Sequence, residues 1–243
     1  MRSKPPMQKI YNDILTAKSQ NRKLLAILLD PDKIDWDNLE RLITRLCSSP
    51  ATHVLIGGSR VFTDRIDELI VEIKDRCELP ILLFPGNPSQ ISHEADGILF
   101  LSLLSGRNPD FLIGHHVKAA PVLIDSDLEI IPTGYLLIGS DSDTAVAKVS
   151  GTAPLSDKQE IVSTAVAGQM LGKKLIYLEA GSGAKNAVPG TVIEAVSHKL
   201  TIPLIVGGGI KSISGIRDAH DSGADLVVIG TAFENDNNFF EHG

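Results

Sequence analysis

The sequence predicts one α/β domain, a (β/α)8 barrel, on three observations. Short apolar runs recur along all 243 residues, segments with helical spacing separate most of them, and each run ends in Asp, Gly, Ser or Pro. A strand that is apolar throughout must be covered on both faces, as in a parallel sheet. Strand–helix alternation repeated about eight times closes a barrel whose chemistry sits at the C-terminal strand ends. The length suits a single unit. With no repeat, low-complexity tract or linker, residues 1–243 are expected to form one TIM-barrel domain with an extra N-terminal helix.

The elements follow in order. Pro5 to Ser19 reads as that amphipathic helix, with Ile10, Ile14 and Leu15 on one face. Lys23 to Leu29 is the first strand and stops at Asp30-Pro31-Asp32-Lys33. Asp37 to Cys47 spaces Leu39, Leu42, Ile43 and Leu46 helically. His53 to Ile56 is the second strand and ends in Gly57-Gly58-Ser59. Thr63 is placed to cap a helix that buries Ile66, Leu69, Ile70 and Ile73. Pro80 to Phe84 is the third strand. The segment Ser89 to Asp96 is too short for a crossover helix, so the third crossover is degenerate. Gly97 to Leu101 is the fourth strand, and Asn108-Pro109 opens a helix. A hairpin-like insertion around Asp125 to Glu129 precedes the fifth strand, Pro132 to Ile138. Ser140 to Ser156 is polar and reads as a loop, and Asp157 to Leu171 as a helix. Leu175 to Leu178, Pro203 to Val206 and Leu226 to Ile229 are strands six to eight. Helices from Pro189 or Gly190 to His198 and from Ser214 to Ser222 separate them.

Composition narrows the function. Apolar residues at 43% supply a sizeable core, and a net charge of −7 argues against a nucleic-acid partner. Cys47 and Cys77 form no CxxC pair, which fits a reducing, cytoplasmic setting. No run is long and apolar enough for a membrane span, and residues 1–20 lack a signal-peptide core.

Three strand ends open into small-residue loops: Tyr177-Leu178-Glu179-Ala180-Gly181-Ser182-Gly183, Val206-Gly207-Gly208-Gly209-Ile210 and Ile229-Gly230-Thr231-Ala232. Backbone N–H groups approach a phosphate closely where no side chain intervenes, and barrels often hold one on the loops after strands seven and eight. One glycine would be a turn; two such loops in register predict a phosphate site. Gly181-Ser182-Gly183 lacks the third glycine and the later acid of a dinucleotide fingerprint. Asp30, directly after an apolar run, suits a Mg²⁺ ligand or a general base, and Ser59 offers a second hard oxygen. Asp32 reads as a turn residue. Glu179 is placed to hydrogen-bond or deprotonate a hydroxyl of a phosphate-bearing substrate. Tyr177 suits either a hydrogen bond to the phosphate or the core. His115-His116 fall in a helix, where neighbours diverge. With His53, His93, His198, His220 and His242 they read as surface or capped residues. Phe84, Leu99, Phe100, Leu101, Leu103 and Leu104 surround the helix-poor third crossover, where an apolar groove could take a long hydrocarbon chain.

In combination these stretches resemble the geranylgeranylglyceryl phosphate synthase family, including bacterial heptaprenylglyceryl phosphate synthases. The resemblance covers most of the chain. It rests on the sequences 29–33, 56–59, 84–87, 133–135, 177–184, 206–210 and 230–231, in that order. It implies an ether-forming prenyltransferase in phospholipid biosynthesis, in which the C3 hydroxyl of sn-glycerol 1-phosphate attacks a polyprenyl diphosphate, foremost geranylgeranyl diphosphate, and releases diphosphate. It implies that Asp30 and Ser59 bind Mg²⁺. Tyr177, Leu178, Glu179, Ala180, Gly181, Ser182, Gly183, Gly208, Gly209, Gly230 and Thr231 would bind glycerol phosphate. Glu179 and Asp30 would carry the catalysis, with Glu179 engaging the attacking hydroxyl. A homo-oligomer, dimer or hexamer, is implied as well. Leu28-Leu29 before Asp30, where the bacillus-type branch has a lysine two positions before the aspartate, favours the branch with archaeal and Bacteroidetes-like members. Two rival readings share the glycine loops. One is an isomerase or lyase of amino-acid biosynthesis, which would place lysine–glutamate or paired-aspartate groups on early strands. The other is a non-catalytic phosphate- or lipid-sensing barrel, which would need neither Asp30 nor Glu179.

Overall fold

The structure is a computed structural model and describes residues 8–139, 144–236 and 239–241. Eight parallel strands close in sequence order: β1 Leu24–Leu29, β2 His53–Ile56, β3 Ile81–Leu83, β4 Gly97–Leu103, β5 Glu129–Leu137, β6 Leu175–Glu179, β7 Leu204–Gly207 and β8 Leu226–Ile229. Side chains alternate along each strand. On β6, Leu175 and Tyr177 fill the barrel interior with Leu99 and Leu226, whereas Ile176 and Leu178 face the outer layer. Both faces are apolar because both are buried.

The outer layer is α2 (Leu39–Ser48), α3 (Ile66–Lys74), α4 (His115–Leu123), α5 (Ala145–Ser150), α6 (Lys158–Met170), α7 (Gly190–Ser197), α8 (Ile213–Asp221) and a short α9 (Thr231–Asn235); α1 (Lys9–Ser19) precedes the barrel. Its buried residues are Ile10, Ile14 and Ala17, which join the barrel-interior cluster and close its floor. Leu15 is only half-buried, so Ala17 completes the face that the sequence assigned to it. The predicted start at Pro5 lies outside the described residues.

The third crossover contains one short helical turn, Pro88–Gln90, as expected. Several expectations need correction. The fifth strand begins at Glu129, and the turn before it forms no hairpin among the described residues, because β4 and β5 pair in parallel from Gly97–Glu129 onward. Glu129 is buried, and its carboxylate accepts from the backbone N–H groups of Ile10 (2.7 Å) and Tyr11 (2.8 Å). It thereby satisfies two free donors at the start of α1. The loop expected from Ser140 to Ser156 carries α5, with Thr144 as its N-cap, and residues 140–143 lie outside the described residues. Thr63 does not cap α3; its hydroxyl accepts from the N–H of Arg65, the residue just before the helix. The helix opened by Asn108-Pro109 begins as a π-helical turn, Asp110–Gly114, before α4. The turn after β8 was read as a loop and is α9.

Candidate active site

The C-terminal strand ends form a cavity of about 690 Å³. Asp30, Ser59, Tyr177 and Glu179 line it, as do Ser182, Gly183, Gly208, Gly209, Gly230 and Thr231. Leu178, Ala180 and Gly181, which sequence reasoning grouped with them, do not: Leu178 and Ala180 pack in the outer core. Gly181 contributes through its backbone.

Glu179 is the last residue of β6, beside Gly207 of β7. The residue is 5% exposed, and its carboxylate accepts from Gly181 N–H at 2.7 Å. Burial pushes its pKa up to about 7, although the Gly181 N–H and the nearby Tyr177 hydroxyl favour the charged form. Gly208 must be glycine: its φ is +80°, and a Cβ there would lie 2.2 Å from Glu179 Oε1. The β7 loop therefore passes directly over the carboxylate.

Tyr177 is fully buried, and its hydroxyl completes no hydrogen bond among the described residues. Its ring stacks on Phe84 at 5.4 Å and meets Tyr135 edge-on at 5.3 Å. Burial first, then the Glu179 charge, raises both tyrosine pKa values well above the ordinary range, so both hydroxyls stay protonated donors. Sequence reasoning left Tyr177 between a core and a site role; it has both positions.

Asp30 follows β1 and caps the short turn Pro31–Lys33 by accepting from Asp32 N–H at 3.2 Å. The β2 loop runs against its carboxylate, since a Cβ on Gly58 would lie 3.3 Å from Oδ2. Ser59 is the next residue. No group of three His, Cys, Asp or Glu side chains suited to a metal exists among the described residues. A metal here would rest on one carboxylate, a hydroxyl and substrate oxygens, which fits Mg²⁺ and does not fit a fully protein-caged ion.

Four positioning residues escaped the sequence reading. Asp32, read as a plain turn residue, accepts from the backbone N–H groups of Phe62 and Thr63 and so holds the β2 loop. Gln90, 2% exposed, bonds to Gly58 N–H and C=O and to Gly86 N–H, joining the β2 and β3 loops. Glu234 of α9 accepts from Asp30 N–H at 3.1 Å and from Lys33 Nζ at 3.1 Å. Lys33 Nζ also lies 3.4 Å from Asp30 Oδ2. Burial opposes the Lys33 charge, but Glu234 and Asp30 together outweigh it and raise its pKa. Apart from the Asp30–Lys33 and Gly86–Gln90 contacts, these bonds join residues about 30 to 200 positions apart, so no local pattern announces them.

A second, narrow cavity of about 100 Å³ runs along the helix-poor side. Phe84, Leu99, Phe100, Leu101 and Leu103 line it, as the sequence anticipated; Leu104 does not. α4 walls it with His115, His116 and Ala119. Gly58, Ser59, Phe84 and Tyr135 line both cavities, so the apolar groove opens into the polar mouth. Among the described residues the histidines join no group of three side chains suited to a metal. His53, His116 and His220 are buried rather than superficial, each with a ring nitrogen hydrogen-bonded, while His242 lies outside the described residues.

The model of the PcrB family matches residues 17–242. The chain is 57% identical over 234 residues to the geranylgeranylglyceryl phosphate synthase of Flavobacterium johnsoniae, covering 96% of each. It is 39% identical over 219 residues to the synthase of that name from Korarchaeum cryptofilum, covering 89% of this chain and 90% of the relative. Among solved structures it resembles (S)-3-O-geranylgeranylglyceryl phosphate synthase from Thermoplasma acidophilum in complex with sn-glycerol-1-phosphate. That match has a TM-score of 0.90 and 34% identity, covering 97% of this chain and 95% of the other. A tryptophan synthase α-subunit from Pyrococcus furiosus, at 13% identity and a TM-score of 0.56, shares the fold alone.

Proposed function

The chain belongs to the PcrB family, and from that premise we propose that it transfers a polyprenyl group, foremost geranylgeranyl, from its diphosphate to the C3 hydroxyl of sn-glycerol 1-phosphate. One observation carries the reading: an apolar groove and an anion-suited mouth share the walls Gly58, Ser59, Phe84 and Tyr135. A substrate with a hydrocarbon tail and a charged head fits that junction. A phosphate isomerase has no use for the groove, and a passive sensor has no use for Glu179.

Glycerol phosphate sits on the β6, β7 and β8 loops, its phosphate toward Gly208, Gly209, Gly230 and Thr231. Glu179 takes the proton of the C3 hydroxyl. A carboxyl titrating at about 7 is matched to that task near neutral pH. The hydroxyl oxygen bonds to C1 of the prenyl group as the C1–O bond to diphosphate breaks, and diphosphate leaves with the bonding pair. Phe84, Tyr135 and Tyr177 present a cluster of rings at the junction. Ring faces favour the positive charge that develops on an allylic carbon. The apolar groove keeps water from capturing that carbon. Asp30 and Ser59 would hold Mg²⁺, which when bound neutralises charge on the leaving diphosphate. A homo-oligomer belongs to the same reading; Ile113, Val117 and Ile124, exposed along and beside α4, are apolar surface suited to a subunit contact.

The test is incubation with labelled glycerol 1-phosphate, Mg²⁺ and prenyl diphosphates of graded length. Organic-extractable product is expected, and its dependence on length identifies the donor. Folded protein that yields none with any donor overturns the assignment.

A further inference from the structure

We infer that Lys33 is a catalytic cation for the diphosphate leaving group and that Glu234 positions it. The inference rests on the prenyl transfer proposed above. The ammonium of Lys33 stands between two carboxylates, 3.4 Å from Asp30 Oδ2 and 3.1 Å from Glu234 Oε2. An ammonium carries three protons; Glu234 accepts one in a hydrogen bond, and Asp30 stands beside it as an ion-pair neighbour. The side chain is 47% exposed and lines the mouth cavity, which leaves the ammonium accessible to a ligand in that space.

The placement fits the leaving group. A hydrocarbon tail in the groove brings its head out at Gly58 and Ser59, which line both cavities. Gly58 packs against Asp30 Oδ2, the same oxygen that Lys33 approaches. A diphosphate head that emerges there would therefore lie beside Asp30, and within reach of the Lys33 ammonium paired with it. A departing diphosphate bears more negative charge than one divalent cation neutralises, and a second fixed cation lowers the barrier to its departure.

Glu234 makes the arrangement rigid. Its Oε1 accepts from Asp30 N–H while Oε2 holds Lys33. It sits on α9, which begins at Thr231 directly behind Gly230. One carboxylate thus links the loop assigned to glycerol phosphate with the aspartate assigned to the other reactant. A lysine stem has four rotatable carbons and loses much freedom when fixed, so a cation meant to meet a particular oxygen needs such a tether.

The experiment compares wild type, Lys33→Gln, Lys33→Arg and Glu234→Gln. Calorimetry measures binding of inorganic diphosphate with Mg²⁺, and steady-state kinetics measures KM for each substrate. Loss of one charged hydrogen bond predicts that Lys33→Gln weakens diphosphate binding roughly 10- to 100-fold and lowers kcat by a similar factor. KM for glycerol 1-phosphate should move less than about twofold. Lys33→Arg should recover most of the diphosphate affinity, and Glu234→Gln should fall between it and Lys33→Gln. Unchanged diphosphate affinity in Lys33→Gln overturns the inference. So does an equal loss of glycerol phosphate affinity, which would mark Lys33 and Glu234 as mere supports of the fold. Wild-type protein that makes no product overturns the parent reading instead, and the two failures are thereby distinct.

Discussion

Replacing Glu179 with glutamine tests both what the buried carboxylate does and what it imposes on the fold. The amide keeps an oxygen for Gly181 N–H, now met at 2.7 Å, and removes the ionisation. Burial lifts the carboxyl from an ordinary 4.5 to about 7. At about 1.4 kcal/mol per pH unit, ionising it in the folded state costs about 3 kcal/mol more than in the unfolded chain. A raised pKa means that the folded state holds the proton more tightly. The group's contribution is therefore fully present below about pH 4.5 and is lost as pH rises through about 7. Glutamine has no such dependence. Between pH 5 and pH 8 the change is about 2.5 kcal/mol, so for a chain of this size the melting temperature of Glu179→Gln should gain on that of wild type by about 5–10 °C. Thermal melts of the two proteins across that range measure the difference, in which all other titrations cancel. In the prenyl-transfer assay the variant should lose about 10²–10⁴-fold in kcat, and wild-type turnover should rise with pH through about 7. Parallel melting curves from pH 5 to 8 would refute the account of the buried charge. Turnover within a few-fold of wild type would refute the role as base.

Two further outcomes follow from particular contacts. Gly208→Ala sets a methyl 2.2 Å from Glu179 Oε1 on a backbone with φ +80°, so melting should report a loss of at least about 1–2 kcal/mol, with turnover falling as the carboxylate is displaced. Glu129→Ala leaves the N–H groups of Ile10 and Tyr11 without their buried acceptor; a loss of about 1–3 kcal/mol is expected, with faster hydrogen exchange at the start of α1 than elsewhere.

The barrel was legible because each strand is an uninterrupted apolar run closed by a polar or small residue. The placement of Asp30, Gly208 and Gly230 at the mouth was legible for the same reason, since the residue after a strand already lies there. What escaped depended on partners far along the chain. Glu129 looked like part of a polar insertion, yet its carboxylate serves a helix 119 residues earlier. Glu234 reads as an acid after the last strand until Asp30 N–H is found against it, 204 residues away. α5 hid in a stretch rich in Ser, Thr and Asp because it is six residues long and buries only Ala147 and Ser150. Leu178, grouped with the loop by motif, was already marked by alternation: Tyr177 and Glu179 face one way and Leu178 the other.

The crossover between β3 and β4 leaves a stretch of barrel wall without the helix that covers the others, and the apolar groove lies there. Under the proposed reaction, the tail of the donor substitutes for that missing element: the lipid becomes a temporary segment of the outer ring. Substrate and scaffold then share one hydrophobic surface. Each methylene that lies in the groove adds to the cohesion of the folded protein as well as to affinity, which ties the length of the tail to the melting behaviour of the complex.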